Sequence, residues 1–371
     1  MKKFIPPRRG KLKIGVLFGG KSAEHEVSLQ SARNVIEGLD RNKYEVIPIG
    51  INKEGKWLLN NTSNYLLNTN NPKLIKLNKS NKEIALYAQG EGSLAVINGG
   101  TNDKHKIDVI FPVLHGPFGE DGSMQGLLKL VGIPYVGAGV LGSAVGMDKD
   151  VMKRLLKEAD VPIGKFLTLR NGDKIFFQKI KKELGLPLFV KPANMGSSVG
   201  INKVRNESEF KKAIAEAFKF DTKIIIEEFI KGREIECAVL GNDNPVASVP
   251  GEVIAQHEFY SYEAKYIDEN GAVLEIPAKI TKAEKTKVQE TAIKAFRALN
   301  CEGMGRVDSF LLKSGKVVVN EINTIPGFTN ISMYPKLWEA SGMPLPKLLD
   351  RLIDFAIERF KKEQKLKTTV N

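Results

Sequence analysis

Arg306, Asp308, Glu321 and Asn323 sit on two apolar runs that flank Ser314-Gly315. A two-residue turn at that dipeptide pairs Lys313 with Lys316, and from there Asp308 faces Glu321 while Arg306 faces Asn323. Strand side chains alternate with period two, so all four share one face of the ribbon. Two opposed carboxylates are costly unless a cation sits between them. With an amide oxygen beside them the donors are all oxygen, which points to Mg²⁺ bridging nucleotide phosphates rather than to a closed protein cage. The plainer alternative is a solvated charged face of an ordinary hairpin.

A second phosphate-binding candidate is the segment Lys191-Pro-Ala-Asn-Met-Gly-Ser-Ser-Val-Gly200. The apolar run before it delivers Lys191 at a strand end, and the Gly/Ser loop then offers backbone N–H groups with the hydroxyls of Ser197 and Ser198. A mere β-turn is the competing reading. Ile224-Ile-Ile-Glu227-Glu228-Phe-Ile230 ends an apolar strand in two acids, with Glu234 following after Gly232. A strand-edge backbone there suits an adenine, and a nearby carboxylate suits ribose hydroxyls. Gly15 to Ser22 matches the phosphate-loop pattern GxxxxGK[ST] letter for letter, but its first glycine lies inside an apolar run instead of after it. Glu24 and Glu26 would also approach the phosphates, which is unfavourable for like charge. A P-loop nucleotide hydrolase using Lys21 is therefore a weaker alternative.

The elements that must position these residues follow from periodicity. Lys13 to Phe18 is a short apolar run, a helical pattern follows through Val27, Ala32, Val35, Ile36 and Leu39, and Tyr44 to Ile49 is a second run. Strand, helix, strand reads as an α/β unit with a parallel sheet, resumed at 107–114 and 133–136. Residues 53–106 are polar and Asn/Lys-rich, with weak strand signals at Trp57 and Ile84, and read as a peripheral insertion. After Gly139 the texture changes to α+β, with a helix at about 143–159, strands near 187–191, 201–204 and 224–229, and a helix near 207–219. From 232 strands alternate with long polar loops, and helices begin near 336 and 345. The predicted division is 1–139 (with the insertion at 53–106), 140–231 and 232–371.

With 371 residues, 42% hydrophobic and 27% charged, the chain is neither disordered nor fibrous, and it is long enough for two or three cores. Its formal charge of +13 is concentrated at the ends. Residues 1–13 carry six basic side chains and no acid, and residues 359–371 carry five (Arg359 among them) against Glu363. Solvated tails, and no nucleic-acid or membrane partner, are the expectation. Two isolated cysteines, Cys237 and Cys301, give neither a disulfide framework nor metal spacing, and a cytoplasmic location fits. Leu130 to Met147 lacks charge but holds five glycines and a proline, so it reads as strand, turn and helix start rather than a membrane span. No signal-peptide pattern is present at the N-terminus.

Taken in order, several motifs resemble one family. They are Gly19-Gly-Lys-Ser-Ala-Glu24-His-Glu-Val-Ser28, His115-Gly through Gly119-Glu-Asp-Gly122, Met147-Asp-Lys149, Lys191-Pro through Gly200, Tyr262-Glu-Ala-Lys265-Tyr266, and Gly305-Arg306-Val-Asp308 through Asn320-Glu321-Ile-Asn323 to Gly327. This ordered set, spanning about residues 13–355, closely resembles the D-alanine–D-alanine ligases of the ATP-grasp superfamily.

The resemblance implies a three-domain ATP-grasp fold of mixed α/β and α+β class, with a Rossmann-like parallel sheet in its N-terminal domain. It implies ATP-dependent synthesis of D-alanyl-D-alanine through an acyl phosphate, for peptidoglycan precursors of the cell wall, and suggests a homodimer. ATP would be held by Lys149, Lys191, Ser198, Glu227, Glu228, Ile230, Glu234 and Lys265, and two Mg²⁺ or Mn²⁺ by Asp308, Glu321 and Asn323. Glu24 would hold the first D-alanine's ammonium, with His115 near its carboxylate. Arg306 and the N–H of Gly327 would stabilise the oxyanion, Ser332 would take the second carboxylate, and Ser197 and Tyr266, linked with Glu24, would close a loop over the site. In this family a tyrosine at position 266 goes with an amine acceptor. A D-hydroxy acid acceptor such as D-lactate is the alternative within the same fold.

Overall fold

The computed structural model describes residues 10–69, 71, 74–80, 82–86, 93–96, 104–174, 176–255, 272–367 and 369–370. The first sheet is built on β1 (Leu12–Gly19), followed by α1 (His25–Gly38), β2 (Tyr44–Ile51) and β3 (Trp57–Leu59). Two small ribbons come next: β4 (Leu66–Leu67) with β5 (Lys76–Leu77), and β6 (Ile84–Leu86) with β7 (Ser93–Val96) and β8 (Lys104–Lys106). The main sheet then closes with β9 (Val109–Val113), and α2 (Ser123–Val131) follows. Its order is β3-β2-β1-β9, with β1 parallel to both β2 and β9 and β3 antiparallel at the edge. Ile14, Val16, Leu17 and Phe18 are fully buried, as expected where both faces of a parallel strand are covered.

The chain turns from β1 into α1 through Gly19 and Gly20, whose φ values are +89° and +98°. A Cβ on Gly19 would lie 2.2 Å from the carbonyl oxygen of Ile51, so only glycine lets the turn pass that close.

The second unit follows α3 (Val140–Met147) and α4 (Lys149–Glu158). It comprises β10 (Phe166–Arg170), α5 (Phe177–Leu184), β11 (Leu188–Pro192), β12 (Asn202–Val204), α6 (Glu207–Ala217) and β13 (Lys223–Glu228). The antiparallel sheet β10-β13-β11-β12 packs Leu188, Val190, Ile224 and Ile226 against Ile180 and Leu184 of α5 and Phe210 and Ile214 of α6. Sequence periodicity finds β11, β12, α6 and β13 to within a residue or two, and misses β10 and α5. What reads as one helix at 143–159 is two, divided at Asp148.

The third sheet contains β14 (Arg233–Gly241), β15 (Val246–Ala247), β16 (Gly251–Ala255) and β17 (Ala272–Glu275). After α7 (Lys282–Ala298) come β18 (Gly303–Leu311) and β19 (Val317–Asn323), and the chain ends with α8 (Met333–Ala340) and α9 (Leu345–Glu363). The order is β17-β16-β14-β18-β19, with β15 paired to β14. One face packs on α7 together with Met152 and Leu156 of α4. The other shares a continuous core with the first unit, in which Leu29, Val35 and Ile36 of α1 join Leu348, Leu349 and Leu352 of α9. Each of those leucines is fully buried, contributing about 2 kcal/mol by removal from water. This shared core fixes the first sheet against the third, and with it the loops that meet between them.

Candidate active site

A cleft of about 340 Å³ opens between the second and third sheets. Lys149, Lys191, Ser198, Glu227, Glu228, Ile230 and Glu234, the predicted nucleotide contacts other than Lys265, all line it. At its floor Glu227 is gripped by two ammonium groups, Lys191 at 2.5 Å and Lys153 at 2.7 Å. Burial alone pushes the Glu227 carboxyl up, but those two cations more than reverse it and hold it down to about 2. Burial likewise lowers the Lys191 ammonium, and Glu227 and Glu321 overcome that and raise it. Glu228 turns aside, accepting the N–H of Lys165 at 2.8 Å.

The cations reach the cleft because α4 is anchored at its first turn. Asp148 caps the helix by accepting the N–H groups of Asp150 and Val151 at 3.1 and 3.0 Å. The same carboxylate takes the Lys223 ammonium, at the start of β13, at 2.7 and 2.5 Å. One side chain thus ties the helix carrying Lys149 and Lys153 to the strand carrying Glu227. Lys149 donates to the carbonyl of Met195 at 2.6 Å and lies 3.6 Å from Glu321.

On the opposite wall Asp308 is paired with Glu321 and Arg306 with Asn323, as the hairpin reading expected. The turn, however, is not the two-residue one. Leu312 and Lys316 bracket a three-residue loop with Gly315 at φ +73°, which displaces the register by one. A bulge between Asp308 and Ser309, with Asn320 as the extra residue of β19, restores it. Glu236 of β14 faces Asp308 from the other side, so Glu236, Asp308 and Glu321 form a row across three strands. Arg306 relieves their repulsion, donating to both oxygens of Asp308 at 2.7 Å and lying 2.8 Å from Glu236.

Among the described residues no cluster of three or more His, Cys, Asp or Glu forms a cage for a metal. Asp308, Glu321 and Asn323 instead supply two carboxylates and an amide. That set fits a small dication completing its shell on phosphate oxygens once Arg306 gives up Asp308, and once Asn323, whose Nδ2 donates to Asp308 at 3.0 Å, turns its amide oxygen inward.

Where the three units meet, the Ser197 hydroxyl donates to Glu24. Ser197 and Ser198 have φ of +49° and +63°, left-handed values that are strained for serine. Gly196 and Gly116 flank the Glu24 carboxylate so closely that a Cβ on either would fall 2.9 or 2.7 Å from its Oε2. Glu120 lies behind, accepting the N–H of Gly116 at 2.8 Å, and burial together with the Glu24 charge raises its carboxyl well above the ordinary range. His115 is 5% exposed, and burial, with Arg306 nearby, lowers its imidazole to about 4. Gly327 abuts Ser332, since a Cβ there would sit 2.7 Å from the Ser332 hydroxyl, which accepts the N–H of Thr329 at 2.9 Å.

Lys265, Tyr266 and Tyr262 lie outside the described residues. The phosphate-loop look-alike fails on structure: Gly15 is inside β1, paired with Ile47 and Ile110. Sequence reasoning missed Lys153 and Glu236. The alternation Glu234-Ile-Glu236 was a usable signal for the latter, and Lys153 carried one only as the i+4 neighbour of Lys149 on the same helix face.

Comparison with known proteins matches residues 13–138 to the family described as D-ala D-ala ligase N-terminus, and residues 155–354 to D-ala D-ala ligase C-terminus. A D-alanine–D-alanine ligase of Oceanobacillus iheyensis is 55% identical over 361 residues, covering 97% of this chain and 99% of that protein. Among solved structures, a D-Ala:D-Ser ligase from Enterococcus faecalis has a TM-score of 0.82 at 38% identity, covering 94% of this chain and 100% of its own. A D-alanine–D-alanine ligase from Bacillus anthracis complexed with ATP has a TM-score of 0.71 at 28% identity, covering 95% and 99%.

Proposed function

The chain belongs to the D-alanine–D-alanine ligase family, with its ATP-grasp fold, and on that premise we propose that it joins two D-alanines at the expense of ATP, releasing ADP and phosphate. The observation that carries this reading is the convergence of three groups of residues. Lys149, Lys153 and Lys191 line one cleft with the carboxylates Glu236, Asp308 and Glu321, Arg306 is paired with two of those carboxylates, and Ser197 on the same cleft donates to Glu24.

In the proposed reaction a carboxylate oxygen of the first D-alanine attacks the γ-phosphorus of ATP. The bond to the ADP oxygen breaks, leaving an acyl phosphate. Lys149 and Lys191 face the phosphates as fixed cations, so charge that spreads over the transferring group meets dipoles and charges already in place. Glu24 holds the first ammonium, and Ser197 steadies Glu24. The free amine of the second D-alanine then attacks the acyl carbon, loses a proton, and phosphate leaves. Arg306 and the N–H of Gly327 face the oxyanion formed at that carbon. Ser332, beside Gly327, receives the second carboxylate.

Asp308, Glu321 and Asn323 would hold Mg²⁺ or Mn²⁺, which when bound neutralises and orients phosphate oxygens. Tyr266, with Lys265, completes the closing loop in this reading and favours an amine over a hydroxyl acceptor. Turnover with D-alanine labelled by ¹⁸O in its carboxylate tests the route. One label per turnover should appear in inorganic phosphate, whereas unlabelled phosphate would exclude an acyl phosphate.

A further inference from the structure

α1 does more than seat Glu24 at its N-terminus. Glu24, Ser28 and Ser31 lie at i, i+4 and i+7, one stripe along the same helix face. Ser28 and Ser31 are completely buried. Ser28 accepts the N–H of Gly19 at 2.7 Å and donates to the carbonyl of Val113, tying together the ends of β1 and β9. Ser31 lies 3.2 Å from Nε2 of His115 and accepts the N–H of Phe328 at 3.1 Å. Nδ1 of His115 lies 3.1 Å from the carbonyl oxygen of Ile325.

Burial keeps the His115 imidazole neutral, and with one ring proton the contacts fix the direction of each hydrogen bond. A carbonyl only accepts, so Nδ1 carries the proton and donates to Ile325. Nε2 is then the acceptor of the Ser31 hydroxyl hydrogen, whose oxygen takes the N–H of Phe328. One turn further along α1, Asn34 donates to the carbonyl of Phe328 at 2.7 Å. The carbonyl of 325 and both polar groups of 328 are therefore pinned from one side, and Gly327 lies between them.

We propose that Ser31 and His115 form a buried relay that positions the 325–328 turn and so aims the N–H of Gly327. This rests on the ligase reading above, in which that N–H faces the oxyanion. His115 is a positioning residue in this arrangement: both ring nitrogens are engaged by protein atoms, and its effect reaches the acyl carbon through Ser31 and the turn. Because Glu24 sits at the N-cap of α1, one rigid element sets both the first substrate's ammonium seat and the donor opposite its carbonyl. A preorganised donor stabilises developing charge only if its aim is held, and a misplacement of about 1 Å costs on the order of a hundredfold in rate.

The test compares Ser31→Ala, His115→Ala, His115→Asn and the Ser31→Ala/His115→Ala double variant in the full-length protein, reading kcat, KM at each D-alanine site and ATP affinity. Each alanine variant should lose about ten- to a hundredfold in kcat, with ATP affinity and the first-site KM within about twofold of the parent. Unchanged ATP affinity reports an intact fold. The double variant should be no slower than the slower single, because both break one relay. His115→Asn, whose amide N–H can still reach the Ile325 carbonyl, should recover part of the loss. The inference is overturned if Ser31→Ala keeps its kcat, if the single losses multiply in the double variant, or if His115→Ala raises the first-site KM while Ser31→Ala does not. A parent protein that makes no dipeptide overturns the reaction reading and this relay with it; an active parent indifferent to Ser31→Ala overturns the relay alone.

Discussion

Glu227 is the residue on which the floor of the cleft depends. Its carboxylate is the common partner of Lys153 and Lys191, and Lys153 is only 2% exposed. Glu227→Gln would leave two ammonium groups facing a neutral amide, and removing one member of a buried ion cluster costs about 3–5 kcal/mol. The variant should show that loss in urea unfolding and bind ATP more weakly. A variant as stable as the parent would mean water already screens the pair.

His115 carries a second residue-scale prediction. Its imidazole, near 6.5 when unfolded, is lowered to about 4 by burial. Between those values the unfolded chain binds a proton that the folded chain refuses. The stability is therefore fully present above pH 6.5 and is lost as pH falls towards 4. Relative to His115→Asn, the parent should lose on the order of 2 kcal/mol between pH 7 and 5, measured as unfolding free energy at both pH values. The place of Lys191 in the cleft was legible from its Gly/Ser loop, and that of Lys149 only through the family resemblance. Lys153 was not, since on an amphipathic helix a lysine reads as solvent-facing until the packing of the opposite sheet encloses it.

At the scale of elements, α4 is the part whose placement matters most. Asp148 both caps it and takes Lys223 across the interface with β13. Asp148→Ala should cost about 1 kcal/mol for the lost cap and more for Lys223, left with only Asp150 at 3.4 Å, with KM for ATP rising more than KM for D-alanine. Asp148→Asn, which retains the cap acceptor, should be the milder of the two. If both variants leave ATP binding unchanged, the anchor does not govern where Lys149 points.

The β18–β19 hairpin shows how far local reasoning carries. Ser314-Gly315 correctly announced a hairpin, and the facing of Asp308 and Glu321 followed, yet the turn holds three residues and a bulge compensates. Loop length and bulge have opposite effects on register, so their cancellation is invisible to a count along either strand. β10 and α5 escaped notice because their apolar faces are short and become distinct only when packed on the rest of that sheet.

For the whole molecule, the basic ends need dividing. Arg359, which composition alone groups with a solvated C-terminal tail, is 6% exposed on α9. Its guanidinium stacks on Tyr135 at 4.4 Å and donates to the carbonyls of Tyr135, at 2.8 Å, and Gly137. It clasps the last helix to the chain leaving the first unit, close to the core those parts share. Arg359→Ala should leave two buried carbonyls without that donor, costing about 2–3 kcal/mol, read as a lowered urea midpoint. Ending the chain after Glu363, beyond the clasp, should leave that midpoint unchanged. Among the described residues no helix is long and apolar enough to cross a membrane, and the glycine-rich stretch before Met147 folds as a turn and α3, while the strand expected at 133–136 is reduced to a single parallel bridge between Tyr135 and Ile110.

The most direct test of the account is product identity. Purified protein with Mg-ATP is supplied with D-alanine, L-alanine, or D-alanine plus D-lactate, while ADP release is followed and the product is weighed by mass spectrometry. D-alanine alone should give one ADP per D-alanyl-D-alanine, and Asp308→Ala and Glu321→Ala should lose that turnover. ADP release independent of any amino acid, or a product formed only when D-lactate is present, would contradict the account.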